Sequence, residues 1–175
     1  MSIQIVPIAE AHIESFRACL DFVAREKKYI AQIEAMPLEQ VSAFAKESIA
    51  NDMAQFVAIE IAAVVGWCDI RPSWAHAVQH CGTLGMGVLS SYRSRGIGAQ
   101  LLTACLAKAR SKSISRIELE VRADNAAAIR LYQKFGFRTL ELVEMPPYFR
   151  RLGRIAGFLH LMMRREDHLA VMAWE

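Results

Sequence analysis

The chain is poor in the features that would place it outside the ordinary globular classes. Its longest apolar run, Ile61 to Cys68, falls far short of the ~20 residues a membrane span needs. It lacks a charge excess as well. The net charge is only +3 and the basic residues are scattered, so neither nucleic acid nor a membrane is expected as a partner. No low-complexity tract or internal repeat interrupts it. The four cysteines, Cys19, Cys68, Cys81 and Cys105, stand well apart in apolar surroundings and read as reduced core thiols of a cytoplasmic protein. Met1 leads straight into a strand-like segment with Pro7 and Glu10, so no secretory leader is expected. Two phosphate-binding signatures are also missing: the Gly-Lys-Ser/Thr ending of a P-loop, and the three spaced glycines with a later acidic residue of a dinucleotide fold.

What is present suits one α/β domain. With 175 residues, 54% of them apolar and 22% charged, the chain can build a single proper core over about residues 3–164, leaving an apolar tail at 165–175. Ile3 to Ile8 reads as a strand ended by Pro7. Ile13, Phe16, Leu20 and Val23 fall on one helical face. A second helix is expected from Pro37 through Ile49, and the irregular segment between the two helices is placed to border a substrate site. Gln55–Ile59 and Val64–Ile70 form a hairpin without the usual turn residues. Pro72 to Gln79 is a loop, Gly82 to Leu89 a strand, and Gly96 to about Ser111 a helix. Ser115 to Val121 alternates, with Ile117, Leu119 and Val121 on one face and Glu118 and Glu120 on the other. Asp124-Asn125 opens a helix that stops at Gly136. Phe137 to Leu142 and Gly157 to Met163 complete a mixed sheet of about seven strands flanked by about four helices.

The strand into the second half of this pattern ends in an unusual stretch, Gly85 to Ala99. It runs into a basic, glycine-punctuated turn that opens directly into a helix. Gly96 and Gly98 free the backbone and allow a ligand to approach it closely. A helix's first turn presents unpaired N–H groups and the positive end of its dipole, so the turn is a ready anion cradle. Arg93 and Arg95 would add two cationic arms.

Two runs carry a resemblance. Arg93-Ser94-Arg95-Gly96-Ile97-Gly98 resembles the Arg/Gln-x-x-Gly-x-Gly/Ala signature of the GNAT superfamily of acyl-CoA-dependent N-acetyltransferases. The run Leu119 to Phe137 is similar to that superfamily's next strand and helix, especially in bacterial enzymes that acetylate the N-termini of ribosomal proteins. The segments before residue 55 are more like the small-molecule members. The resemblance implies a GNAT fold and an acetyl-CoA-dependent N-acetyltransferase. The acetyl group would pass to a primary amine, of a small molecule or amino acid or of a protein N-terminus. It also implies a strand that splays from its neighbour, with the pantetheine arm along Met86, Gly87 and Val88. The pyrophosphate would lie on the N–H groups of Arg93, Ser94, Arg95, Gly96, Ile97, Gly98 and Ala99, and Asn125 would bond the arm. Tyr132 would protonate the departing thiolate. Glu120 matches the glutamate proposed as base in the N-terminal acetyltransferases.

Other residues are candidates on local chemistry. His80 is an alternative base, as is a water, and Tyr29, Trp67, Asp69 and Trp74 are candidates to line the acceptor pocket, with Asp69 attracting a cationic amine. His76, His80 and Cys81 lack a fourth metal ligand, so no metal is expected. No Ser-His-Asp or Cys-His arrangement suggests a covalent intermediate, which leaves direct attack. Where relatives often carry an acidic residue after a tyrosine-containing loop, the segment from Tyr148 to Gly157 is basic. Arg150, Arg151 and Arg154 would favour an acidic acceptor or face solvent. The apolar tail residues Leu169, Val171, Met172 and Trp174 are candidates to pack on a second copy, as a homodimer. The alternative to an enzyme is a non-catalytic acyl-CoA sensor or partner-binding domain.

Overall fold

The computed structural model describes residues 2–143 and 158–164, which form seven strands and four α-helices. In chain order they are β1 (Gln4–Pro7), α1 (Ile13–Arg25), α2 (Leu38–Ala50), β2 (Ala54–Glu60), β3 (Ala63–Pro72), β4 (Cys81–Val88), α3 (Ile97–Ser111), β5 (Arg116–Arg122), α4 (Ala126–Lys134), β6 (Arg138–Val143) and β7 (Phe158–Arg164). The strands make one sheet in the order β1-β2-β3-β4-β5-β7-β6. All neighbours are antiparallel except β4 and β5. The expected mixed sheet and flanking helices are therefore present. The basic segment 148–157 and the tail 165–175 lie outside the described residues.

Alternation along the strands sends side chains into two separate cores, one on each face. On one face Leu101, Leu102, Cys105 and Leu106 of α3 meet Ala54, Cys68, Ile70, Ile117, Leu119 and Tyr132. On the other, Phe16, Leu20 and Val23 of α1 and Val41 and Ala45 of α2 meet Val57 and Trp67. Cys19, Cys68 and Cys105 are buried in these layers, and burial pushes the Cys19 thiol up to about 12. The Cys105 thiol donates to the Cys68 carbonyl at 3.0 Å.

Two local features shape the sheet edge that matters below. Trp67 on β3 lies opposite Gly87 on β4, and a Cβ at Gly87 would sit 2.3 Å from the indole. Trp67 itself packs edge-on against Phe16 at 5.9 Å, so α1 clamps the ring over a strand position with no side chain. The β2–β3 hairpin turns at Ile61 and Ala62, both with positive φ (48° and 64°). A two-residue turn with both central residues in this region is the hairpin-compatible mirror type, which favours Asn-Gly. The chain makes it with a β-branched residue and an alanine, which explains why the sequence shows no turn signal there.

Replacing Ile61-Ala62 by Asn-Gly is expected to stabilise the fold by about 1 kcal/mol in denaturant unfolding, since both residues sit in a region that Cβ disfavours. Gly87→Ala is expected to destabilise by about 1–3 kcal/mol, because the indole cannot yield without disturbing Phe16. Gly85→Ala, whose Cβ would first meet the Asp69 carboxylate at 3.3 Å, should cost less in the same measurement.

Candidate active site

The parallel pairing of β4 with β5 is short. It runs from Cys81 opposite Arg116 to Thr83 opposite Glu118, and beyond these residues the strands part. Leu84 to Val88 on one strand and Leu119 to Arg122 on the other then face each other across a gap instead of a ladder. Into this gap opens a cavity of about 530 Å³. Main-chain groups on the open edge of β4 are left for a ligand, as at any unpaired strand edge.

The loop after β4 closes one end. A short 3₁₀ turn at Ser90–Tyr92 leads into Ser94 (φ 61°) and Gly96 (φ 77°), and α3 begins at Ile97 with Gly96 as its N-cap. Only glycine adopts such a φ at no cost, so Gly96 lets the chain turn sharply into the helix with its N–H groups aimed outward. Ser94, Gly96, Ile97, Gly98 and Ala99 line the cavity at this helix start. A Cβ on Gly98 would lie 3.2 Å from Leu131 of α4 and 3.4 Å from Met86, so glycine here permits close packing of α3 against α4.

The two arginines do not form the pair of free arms that the sequence suggested. Arg93 is spent on protein contacts. Its Nε donates to the Val88 carbonyl at 2.9 Å, its two terminal nitrogens donate to the Glu26 carboxylate at 2.9 and 2.8 Å, and the guanidinium covers the Tyr29 ring at 4.4 Å. This bidentate geometry is the strong form of an ion pair. Arg93 therefore ties the α1–α2 connection to the end of β4. Arg95 lies over the Tyr92 ring at 5.0 Å and does not line the cavity, although its main chain belongs to the loop.

Most of the other sequence candidates converge. Met86, Gly87, Val88, Arg93, Asn125, Glu120, Tyr132 and Tyr29 all line the cavity. Asn125 caps α4, its Oδ1 accepting from the Ala128 N–H at 3.2 Å. Tyr132 is 6% exposed and packs on Phe137 at 5.6 Å, and burial pushes its phenol above its usual range. It is a proton holder at neutral pH. Glu120, by contrast, is exposed on the parted stretch of β5. From the α1–α2 connection come Ile30, Ala31 and Gln32, the irregular segment that was expected to border a site.

Four candidates stand elsewhere. Trp67 is 4% exposed in the α1-side core, so it supports the site from beneath rather than lining it. His80 lies before β4, at the paired end of the β4–β5 ladder, where its carbonyl accepts from Ser115 and Arg116. That is the wrong end for a base. Asp69 sits beside the cavity rather than in its lining: its carboxylate lies against Gly85, and burial pushes its pKa up to about 7, opposed by Arg71. Trp74 is 94% exposed in the β3–β4 loop, away from any pocket wall. His76 pairs with Gln79, and among the described residues no three His, Cys, Asp or Glu side chains converge as metal ligands. Sequence reasoning missed Glu26 and Arg130. Glu26 gives no local signal because its partner lies 67 positions away. Arg130 lines the cavity from α4, one turn after the asparagine cap that had already marked this helix.

The loop, the parted strands and the cavity between them, lined by Val88 and Leu131 among others, suit a long ligand with an anionic head and a thioester end, the shape of acetyl-CoA. Comparison with known proteins agrees with that fit. The model of the acetyltransferase (GNAT) family matches residues 14–137. The chain is 40% identical over 82 residues to the N-alpha-acetyltransferase RimI of Mycobacterium tuberculosis, covering 47% of this chain and 46% of that protein. It is 33% identical over 84 residues to the L-amino acid N-acetyltransferase AaaT of Escherichia coli, covering 47% of this chain and 52% of that one. The match thus spans about half the length of these curated relatives. The ribosomal-protein-alanine N-acetyltransferase structure from Brucella melitensis superposes with a TM-score of 0.80 at 22% identity, over 92% of this chain and 99% of that one. The structural match shows the fold, and the family model, which covers the loop, the parted strands and the helix behind them, shows the lineage: the chain belongs to the acetyltransferase (GNAT) family.

Proposed function

We propose that the protein transfers an acetyl group from acetyl-CoA to a primary amine by direct attack. The observation that carries this reading is the parting of β4 and β5 after Thr83 and Glu118, which leaves one cavity walled by the anion loop, Glu120 and Tyr132. Bound there, acetyl-CoA supplies a thioester whose carbonyl carbon takes the amine and whose sulfur leaves. The N–H groups of Arg93 to Ala99 hold the pyrophosphate, aided by the dipole of α3. The open edge of β4 at Met86, Gly87 and Val88 pairs with the pantetheine arm and offers N–H donors to the thioester oxygen. Asn125 bonds the arm from the start of α4.

An amine must be neutral to attack. Glu120, exposed on the facing strand, accepts its proton directly or through water. Tyr132 keeps its proton at neutral pH and presents it to the sulfur as negative charge develops there. Among the relatives, one is named for N-alpha acetylation and one for an L-amino acid acceptor, so both acceptor types are supported by resemblance.

The first test is release of free thiol from acetyl-CoA against a panel of amines, amino acids and N-terminal peptides. Acceptor-dependent release is expected, and tight acetyl-CoA binding with no release to any acceptor would favour a sensor instead. Tyr132→Phe keeps the ring's packing and should lower kcat roughly a hundred-fold while leaving the acetyl-CoA dissociation constant within about two-fold. Unaltered kcat removes Tyr132 from the chemistry. Glu120→Gln should lower kcat/KM for the amine by a similar factor near neutral pH. The deficit should shrink as pH rises toward the amine's own pKa, because the acceptor then arrives deprotonated; a constant deficit across pH counts against Glu120 as base.

A further inference from the structure

Asp69 is an acidic side chain without an assigned task. It is half-buried on β3, and among the described residues it has neither a hydrogen-bond donor nor an ion-pair partner. Buried or partly buried carboxylates are normally paired, because desolvation is costly otherwise. The cations near it are committed elsewhere. Arg71, two residues along the strand, bonds Glu47 at 2.6 Å and covers the Phe44 ring at 4.1 Å. Gln55, directly opposite on β2, is 1% exposed, and neither atom of its carboxamide has a partner, so its donor does not reach Asp69 either.

On its other side Asp69 faces Gly85 of β4, one of the residues lining the cavity. The carboxylate lies where a side chain at 85 would begin: a Cβ there would be 3.3 Å from one carboxylate oxygen and 3.6 Å from the other. Glycine at 85 puts no side chain between that carboxylate and the cavity lining to which Gly85 belongs. Glu118 and Glu120 share this face of the sheet on the strand across the gap. Glu118 is already paired with Arg116 and near His160, whereas Glu120 has no such partner among the described residues.

We propose that Asp69 binds a second positive charge of the acceptor, so that the substrate class is an amine carrying another cationic group and no carboxylate nearby. This rests on the N-acetyltransferase reading above. The geometry separates the two roles. Asp69 stands one strand behind the gap, about 4.8 Å in from β4, too far back to deprotonate the attacking nitrogen. Glu120 borders the gap itself. An acceptor with two amines a short alkyl chain apart can place one nitrogen before Glu120 and the other over Gly85 against Asp69. A free amino acid would instead bring its own carboxylate toward two acidic walls, a repulsive contact that selects against it.

The test compares putrescine with n-butylamine, which share a four-carbon chain and differ by one ammonium. Dissociation constants are measured by calorimetry in the presence of CoA, and thiol release from acetyl-CoA is followed in parallel. The wild-type protein should bind putrescine at least about ten-fold more tightly, the scale of one charge-assisted contact. In Asp69→Asn the ratio should fall to about two, the statistical advantage of a molecule with two equivalent ends. Gly85→Ala, which covers the carboxylate without removing it, should lower the ratio in the same direction. A wild-type ratio near two, or a ratio that survives Asp69→Asn, overturns the proposal. Selective binding of putrescine without thiol release would leave the proposal standing and overturn the transfer reaction instead.

Discussion

The structure depends on where one parallel strand pair stops. β4 and β5 hold together from Cys81 to Thr83 and then separate, although each continues as a strand bonded to its other neighbour. Stopping a ladder inside a sheet leaves backbone donors and acceptors without partners, a cost that a protein sustains only where something else fills the place. Here the gap opens into the cavity of about 530 Å³. The same separation supplies the open edge of β4, sets Glu120 on the opposite wall, and leaves room for Tyr132 to reach the throat from α4.

The two halves of the site are held in register by Arg93. Its guanidinium joins the end of β4 through the Val88 carbonyl to the α1–α2 connection through Glu26 and Tyr29. The glycine loop after β4 and the α1–α2 connection, which both line the cavity, are therefore one mechanical unit. Trp67 contributes from below. By filling the space over Gly87 it fixes the level of the β4 edge against α1, so a residue outside the cavity governs the shape of its floor.

The acceptor side is distinguished by charge more than by shape. Glu120 lines the cavity and is exposed, and Asp69 stands half-buried behind Gly85 of its lining, with Arg71 engaged by Glu47 and Arg93 by Glu26. A carboxylate in partial burial is held in a state it does not favour, and a cation brought beside it relieves that state.

Much of this was legible in the sequence, and for local reasons. Period-two and period-3.6 patterns depend on neighbours in the chain, so the strands, the four helices and the glycine turn at Gly96 could be read directly. The loop motif and the helix behind Asn125 are likewise contiguous, which is why Met86 to Val88, Ser94 to Ala99, Asn125, Glu120 and Tyr132 were found together. What the sequence could not decide was which side chains meet across strands. Trp67 looks like a pocket residue until α1 is laid over it, and Arg93 looks like a phosphate arm until Glu26 comes alongside. His80 precedes the same strand that lines the cavity, yet the ladder places it at the paired end. Sequence by itself determined the elements, the family and the glycine turn at Gly96, because each is written in adjacent residues. The tertiary structure alone decided the level of the cavity floor, the loss of Arg93 as a free cation and the placing of Asp69 against Gly85, because burial and pairing are properties of residues brought together from distant parts of the chain.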